Sequence, residues 1–351
     1  MQPPRIISWN VTSRCLLRCP HCYIDAAPAP QAPEAGTGAG MEIVRQVADA
    51  GTGILVLSGG EPLLREDIFR IASFGDRSGL RMALATSGIP LTGEVADNLA
   101  SSGIRKVAIS LDSVIPENHD RFRGLGGAWA GALRGIGHCR DYDIPVQLNV
   151  TVTPDNRHEI VPILRFAKSL GIGDVHLFFL VPTGRGQALG DLTPGAYEAI
   201  IREALRLPAG GQMVVRPTCA PQYMRIAEEE GLRRKEWQRG CIAGRSYLRI
   251  SPAGEVTPCP YLPVSLGNVL ATPLADIWEG SGILGLLRDD DRLQGKCGAC
   301  EYRGICGGCR ARAYGSTTRS GWGCADLHPP GALRGNLMAE EPMCPYIPAG
   351  K

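Results

Sequence analysis

The chain has 351 residues, 44% of them hydrophobic, with 37 Lys and Arg against 35 Asp and Glu for a formal net charge of +2. This length fits one large globular domain plus a smaller one, and the charge balance leaves no global field to hold nucleic acid or an anionic membrane. The longest apolar stretch, near 175–181, is too short to span a bilayer, and MQPPRIISWN lacks a basic region followed by an apolar run, so a cytoplasmic protein without a secretory signal is expected.

In chain order, β-branched runs predict strands at 5–10, 53–58, 81–86, 106–111, 145–153 and 174–181. Helical periodicity falls between them at 41–50, 66–78, 93–102, 128–141 and 157–170, and again at 193–206. Runs such as ILVL, VAISL and LFFLV are apolar on both faces, as in a buried parallel sheet. Alternating β/α units predict a parallel α/β sheet, open or barrel-like, whose ligands gather at the carboxyl ends of the strands. Residues 26–40 (AAPAPQAPEAGTGAG) read as a loop without regular structure. Residues 225–239 mix both charges and read as a solvated helix face. After about 215 the pattern changes to short strands, turns and cysteines, which divides the chain into 1–215 and 216–351. No solenoid-type repeat is present.

Cysteine is the unusual residue. There are 13, an odd number, and they fall into two groups. Cys15, Cys19 and Cys22 lie near the start. Cys219, Cys241, Cys259, Cys297, Cys300, Cys306, Cys309, Cys324 and Cys344 lie in the last third, with only Cys139 between. Without a secretory signal, metal or cluster ligation accounts for them better than disulfides.

The first group is Cys15-x-x-x-Cys19-x-x-Cys22, directly after the first strand. Three thiolates can wrap one face of a [4Fe–4S] cubane and leave the fourth iron to a non-protein ligand. The alternative is a partial zinc site completed by His21, but structural zinc sites want four closed ligands. Gly59-Gly60-Glu61-Pro62 follows the second strand.

The cysteine spacing together with this GGEP segment resembles the radical S-adenosylmethionine (radical SAM) enzymes. The resemblance implies a partial (β/α)6 barrel. It also implies that the open iron chelates SAM and that Gly59, Gly60, Glu61 and Pro62 receive its methionine amino group. Ala85-Thr86-Ser87-Gly88 sits where the family has T-N-G, with Ser87 replacing asparagine. Ser110, Asp112 and Ser113 at the end of the fourth strand, and Asn149 in the fifth, resemble SAM-contacting positions; strand-end hydrogen bonding is the alternative role for each.

In the second group, Cys241 is followed by twelve residues, Gly254, four residues and Cys259; then come Cys297-x-x-Cys300-x5-Cys306-x-x-Cys309 and Cys344. This resembles the SPASM domain, a small α+β module that binds auxiliary [4Fe–4S] clusters. The usual three residues before the last cysteine of the central run are here two, Gly307 and Gly308. A zinc ribbon pairing 297/300 with 306/309 is the alternative, with a loop short for a ribbon knuckle. By resemblance, Cys297, Cys300, Cys306 and Cys344 serve one auxiliary cluster. Cys241, Cys259 and Cys309 serve another, with Cys219 as a candidate fourth ligand. Cys139 reads as a core thiol, and Cys324 lies in a Gly/Ser/Pro-rich insertion at 316–335.

Further stretches, among them ISWNVTSRC, SLDSVIPENHDRFRG, VPTGRG, PTCAPQYMRIA and CGACEYRGICGGCRARAYG, resemble the radical SAM enzymes of tetrapyrrole metabolism that make heme b or process heme d1 precursors. The implied reaction is oxidative decarboxylation of two propionates of Fe-coproporphyrin III to vinyls. A 5′-deoxyadenosyl radical from SAM removes a hydrogen at the propionate β-carbon, and an auxiliary cluster accepts the remaining electron. A flavodoxin or ferredoxin is the implied electron donor. Propionates call for bidentate arginine, and the candidates are Arg123, Arg185, Arg310 and Arg312. His176, on the sixth strand, reads as a core histidine. The competing expectations are a radical SAM maturase of a ribosomal peptide and a non-catalytic, zinc-stapled binding protein.

Overall fold

The computed structural model describes residues 2–30, 32–207, 213–318 and 333–349. Cys324 and most of the expected insertion lie outside the described residues.

Seven strands alternate with helices in the first two thirds: β1 (Ile6–Thr12), α1 (Thr37–Asp49), β2 (Ile54–Gly59), α2 (Ile68–Arg77), β3 (Arg81–Thr86), α3 (Gly93–Ser101), β4 (Ile104–Ser110), α4 (Pro116–Arg123), α5 (Ala128–Asp141), β5 (Val146–Val152), α6 (Ile160–Ser169), β6 (Asp174–Phe179), α7 (Pro194–Arg206) and β7 (Val214–Thr218). There follow α8 (Tyr223–Glu229), β8 (Tyr247–Ile250), β9 (Glu255–Thr257), β10 (Gly267–Asn268), α9 (Leu274–Gly280), α10 (Gly282–Arg288), α11 (Gly295–Ala299) and α12 (Arg310–Ser316). Helix starts follow local chemistry: Thr92 and Thr193 accept from Val95 and Ala196 to cap α3 and α7. Pro194 then occupies the first turn of α7, where its missing N–H costs nothing.

All the strands join one ten-stranded sheet in the order β10-β9-β8-β1-β2-β3-β4-β5-β6-β7. Neighbours from β1 to β7 are parallel, β8 adds in parallel beside β1, and β9 and β10 turn back antiparallel. The sheet is the partial barrel of the expectation. β7 crosses the anticipated boundary near 215 and pairs with β6, so the sheet runs through it without a break.

Side chains of alternate parity split the two faces. Ile7, Trp9 and Val11, Leu55 and Leu57, Val107 and Ile109, and Val175, Leu177 and Phe179 are fully or almost fully buried and form the core under the helices. Across β4 to β7 the opposite parity, with Ser110, Asn149, His176 and Arg216 aligned, stays half-buried, whereas on β1 and β8 Ser8, Asn10 and Arg249 are buried. The strands are therefore not sealed on both faces as their apolar runs suggested. One face is closed by helices and the other lines a polar lumen.

Two further expectations are corrected. The 26–40 segment is tethered: Cys15 donates to the Ala27 carbonyl, the Glu34 carboxylate accepts from Thr12 and Ser13, and α1 begins at Thr37. Only the first five residues of the charged 225–239 stretch are helical, and that helix, α8, is inward-facing. α8 buries Tyr223, Met224, Ile226 and Ala227, and Arg225 is 3% exposed between Glu198 and Glu229. Removing one partner of such a pair strands a buried charge. Arg225→Ala is expected to lower stability by about 3 kcal/mol in chemical denaturation, against under about 0.5 kcal/mol for a solvated surface charge.

Candidate active site and cysteine centres

β1 ends in the loop that carries Cys15, Cys19 and Cys22. Cys15 and Cys19 are buried and Cys22 half-buried. The loop is stapled from several sides. Arg185, in the turn after β6, donates its Nε to the Cys19 carbonyl (2.9 Å), a terminal nitrogen to the Ala26 carbonyl (3.0 Å) and its backbone N–H to the Cys22 carbonyl (3.1 Å). A Cβ on Gly184 would stand 2.5 Å from the Cys22 carbonyl oxygen, so only glycine allows this closure.

The sulfurs sit among donors. Backbone N–H groups of Leu17 and Ala26 lie 3.4 Å from the Cys15 and Cys22 sulfurs, and Arg123 approaches the Cys19 sulfur at 3.9 Å. Burial nevertheless pushes the Cys15 thiol up to about 11, helped by Glu61 and by the other two sulfurs. Burial also raises Cys19, against the pull of Arg123. Three free thiols crowded together at the carboxyl end of a strand, with N–H groups aimed at sulfur, fit iron ligation, which keeps them deprotonated. His21 stacks on Phe122 at 4.4 Å, and burial takes its pKa down to about 3.

Gly59-Gly60-Glu61-Pro62 abuts this loop. Gly60 and Glu61 donate to the carbonyls of Thr12 (2.8 Å) and Arg14 (2.7 Å). Cβ atoms on Gly59 and Gly60 would fall 2.3 Å from the Thr12 oxygen and 2.2 Å from the Arg14 oxygen. The glycines thus admit the cysteine loop's own backbone. Pro62 opens a short 3-10 turn. The buried Glu61 carboxylate accepts from the Thr86 hydroxyl (2.7 Å) and from the Ser87 N–H (2.9 Å) and hydroxyl (2.6 Å). Burial raises its pKa in spite of these bonds. Cys15, Glu61 and Ser87 line a cavity of about 190 Å³.

The other expected SAM contacts divide. Ser110 and Asn149 are register partners on the lumen face, and the Asn149 side-chain oxygen accepts from Gln147. Asp112 turns away from that role. It is 1% exposed and accepts from Arg123 and the Thr151 N–H. Burial works against its charge, but Arg123, His119, His21 and the Thr151 N–H together outweigh this and hold the carboxyl below its usual range. Ser113 hydrogen-bonds Glu159.

The later cysteines form two groups. Cys297, Cys300, Cys306 and Cys344 line an open cavity of about 450 Å³. Cys219, Cys241, Cys259 and Cys309 crowd one another electrostatically, and burial raises Cys219, Cys259 and Cys309. Gly307 and Gly308 have φ of +76° and +59°; this left-handed pair turns the chain so that Cys306 faces one quartet and Cys309 the other. Cys219 is itself at φ +61°, a strained setting for a side chain other than glycine. Among the described residues no three His, Cys, Asp or Glu side chains converge on a single-ion site. Cys139 is fully buried on α5, where burial raises its thiol to about 12.

The four arginines expected to hold substrate are committed elsewhere. Arg123 pairs with Asp112, and Arg185 staples the cysteine loop. Arg310 donates to the carbonyls of Leu337 and Ala339. Arg312 bridges the Cys219 and Leu180 carbonyls, Tyr197 and Glu341, whose carboxylate also accepts the Cys309 N–H. Each guanidinium fork matches backbone carbonyls as well as it matches propionates, and the loops need it. His176 faces the lumen, 3.4 Å from Asp174, which also pairs with Lys106; it is not a core residue.

Sequence reasoning missed Asn10, Tyr23, Arg249 and Tyr261. The first and third are on lumen-facing positions of β1 and β8, and Tyr23 and Tyr261 flank Cys22 and Cys259. Strand parity and adjacency to ligand cysteines were the available signals.

If the glycine seam seats the cysteine loop, Gly60→Ala shifts that loop by about an ångström and reductive SAM cleavage falls about a hundredfold or more. Gly126→Ala, where a Cβ meets open space, is expected to match the wild type. The check is a 5′-deoxyadenosine assay, with circular dichroism to confirm that both variants fold.

The radical SAM superfamily profile matches residues 9–167, and an iron–sulfur cluster-binding domain profile (SPASM) matches 241–301. An AdoMet-dependent heme synthase of Methanosarcina barkeri is 39% identical, over 99% of this chain and 98% of its own. Another, from Nitratidesulfovibrio vulgaris, is 36% identical over 98% of this chain and 93% of its own. Streptococcus suis SuiB bound to S-adenosylmethionine shares the fold, with a TM-score of 0.72 at 16% identity over 96% of this chain and 77% of that one. With full-length relatives at this level of identity, the chain belongs to the radical SAM superfamily, as an enzyme carrying the C-terminal SPASM iron–sulfur domain.

Proposed function

We propose that this enzyme is an AdoMet-dependent heme synthase that converts two propionates of Fe-coproporphyrin III into the vinyl groups of heme b. The observation that carries this reading is the end-to-end likeness to the Methanosarcina barkeri heme synthase, which spans the barrel and the cysteine-rich region alike.

Cys15, Cys19 and Cys22 would hold the SAM-binding [4Fe–4S] cluster, and Glu61 with Ser87, which border the adjoining cavity, would receive the methionine end of SAM. When bound, this cofactor pair supplies a 5′-deoxyadenosyl radical after one-electron reduction, with a flavodoxin- or ferredoxin-type protein as reductant. Cys297, Cys300, Cys306 and Cys344 would hold one auxiliary cluster, and Cys219, Cys241, Cys259 and Cys309 the other.

The net change at each side chain is R–CH2–CH2–COO⁻ to R–CH=CH2, with loss of CO2, one hydrogen atom and one electron. The site must therefore offer a hydrogen-atom acceptor and an electron acceptor near the same propionate. Tyr23, beside Cys22, and Tyr261, near Cys259, meet edge to face at 5.3 Å. The first cysteine loop thus meets the segment that carries Cys259, one of an inner quartet made of Cys219, Cys241, Cys259 and Cys309. Arg185 and Gly184 hold the loop closed on that side, and the buried Glu61 presents a carboxylate toward the cavity.

Reconstituted enzyme with SAM, dithionite and Fe-coproporphyrin III under anaerobic conditions is expected to lose two carboxyl groups stepwise, with matching 5′-deoxyadenosine, by mass spectrometry. Replacing Cys15, Cys19 and Cys22 with alanine together is expected to abolish SAM cleavage. Cleavage by wild type with the porphyrin unchanged would reject the substrate and redirect the search to a heme d1 precursor or a peptide.

A further inference from the structure

Six arginines are buried among the described residues: Arg65, Arg123, Arg225, Arg249, Arg310 and Arg312. Four of them face carboxylates: Arg65 pairs with Asp67, Arg123 with Asp112, Arg225 with Glu198 and Glu229, and Arg312 with Glu341. Arg310 is spent on three carbonyls and approaches the Cys297 sulfur. Arg249 is the exception. It is 3% exposed, donates its Nε to the Asn10 side-chain oxygen, and lies 5.9 Å over the Tyr23 ring. Among the described residues it has no carboxylate and no partner for its terminal nitrogens. A cation in this setting gives up hydration with little in return, so an anion that binds there recovers a large desolvation cost.

The surroundings say which kind of anion. Leu248 and Ile250 are fully buried in the core, so Arg249 lies on the opposite, lumen side of β8, beside Ser8 of β1. Asn10 holds both Arg249 and the Tyr23 hydroxyl, and so fixes cation and ring together. Tyr261 packs edge to face on Tyr23, and Tyr247, hydrogen-bonded to Ser8, completes the wall. All three tyrosines are half-buried. A planar fork next to aromatic faces suits a ligand that is flat and carries carboxylates.

We propose that Arg249, oriented by Asn10, is the propionate-recognition residue of this enzyme, and that Tyr23 and Tyr261 form the wall against which the macrocycle lies. This rests on the functional reading above and names the contact that seats its substrate between the first cysteine loop and the inner quartet.

The test is an anaerobic equilibrium titration of the cluster-loaded enzyme with Fe-coproporphyrin III, followed at its Soret band. Arg249→Gln is expected to raise the dissociation constant about a hundredfold and Arg249→Lys, which keeps the charge but loses the fork, about tenfold. The tetramethyl ester of the same porphyrin should bind wild type and variants equally weakly. Substrate-free SAM cleavage and the electron paramagnetic resonance midpoint of each reduced cluster should stay at wild-type values. An unchanged dissociation constant in Arg249→Lys overturns the proposal, and so does a shifted cluster midpoint with unchanged porphyrin affinity, which would make Arg249 a counter-ion of the inner cysteine quartet. Should Arg249→Gln fail to load clusters, the lysine variant decides alone. Wild type that binds the porphyrin without decarboxylating it overturns only the functional reading; wild type that does not bind it overturns both.

Discussion

The carbonyls of Thr12 and Arg14 accept the N–H groups of Gly60 and Glu61, and this seam between the first cysteine loop and the end of β2 sets the geometry of the rest of the site. It forms because two glycines leave no Cβ between the backbones. Once Glu61 is placed there, its carboxylate draws in Thr86 and Ser87 and ties the end of β3 to the same point. Three strand ends and three cysteines are thus fixed by one short stretch of backbone contact. A parallel sheet supports this because its carboxyl ends all open on one side.

Arginine is the second structural theme. Arg123, Arg185, Arg310 and Arg312 each reach from one segment to the carbonyls, carboxylates or sulfurs of another: Arg123 and Arg185 to the first cysteine loop, Arg310 to Cys297 and Arg312 to Cys219. Loops expose carbonyls that no helix or sheet satisfies, and a guanidinium carries several donors in a rigid plane. The cost of burying these cations is met by Asp112, Glu341 and main-chain oxygens. In that company Arg249 stands apart, because among the described residues its surroundings offer aromatic faces and an amide but no counter-charge.

The lumen follows from the same parity rule that builds the core. Residues of one parity are sealed under helices and those of the other face a shared space lined by Ser110, Asn149, His176 and Arg216. The added strand β8 extends this wall beside β1 and brings Tyr247 and Arg249 to it. The cysteine-rich region therefore contributes to the wall of the lumen as well as carrying the later cysteines.

Much of this was legible in the residues. The six barrel strands, their helices and both cysteine groups are local patterns, set by side-chain period and by spacing along the chain, and each falls within a few residues of its expected place. The partners of the arginines were not legible, because a guanidinium beside a cysteine looks the same in sequence whether it meets a propionate or a carbonyl. Neither was the inward face of α8, whose alternating charges are satisfied by Glu198 on α7 instead of by water. The 26–40 loop carries no periodicity, and Glu34 is held by Thr12 and Ser13 at the end of β1. Local spacing along one chain determined the chemistry this protein is equipped for; which side chains remain free to meet a substrate was decided by contacts between segments far apart in sequence, since only the folded sheet says which donors are already taken.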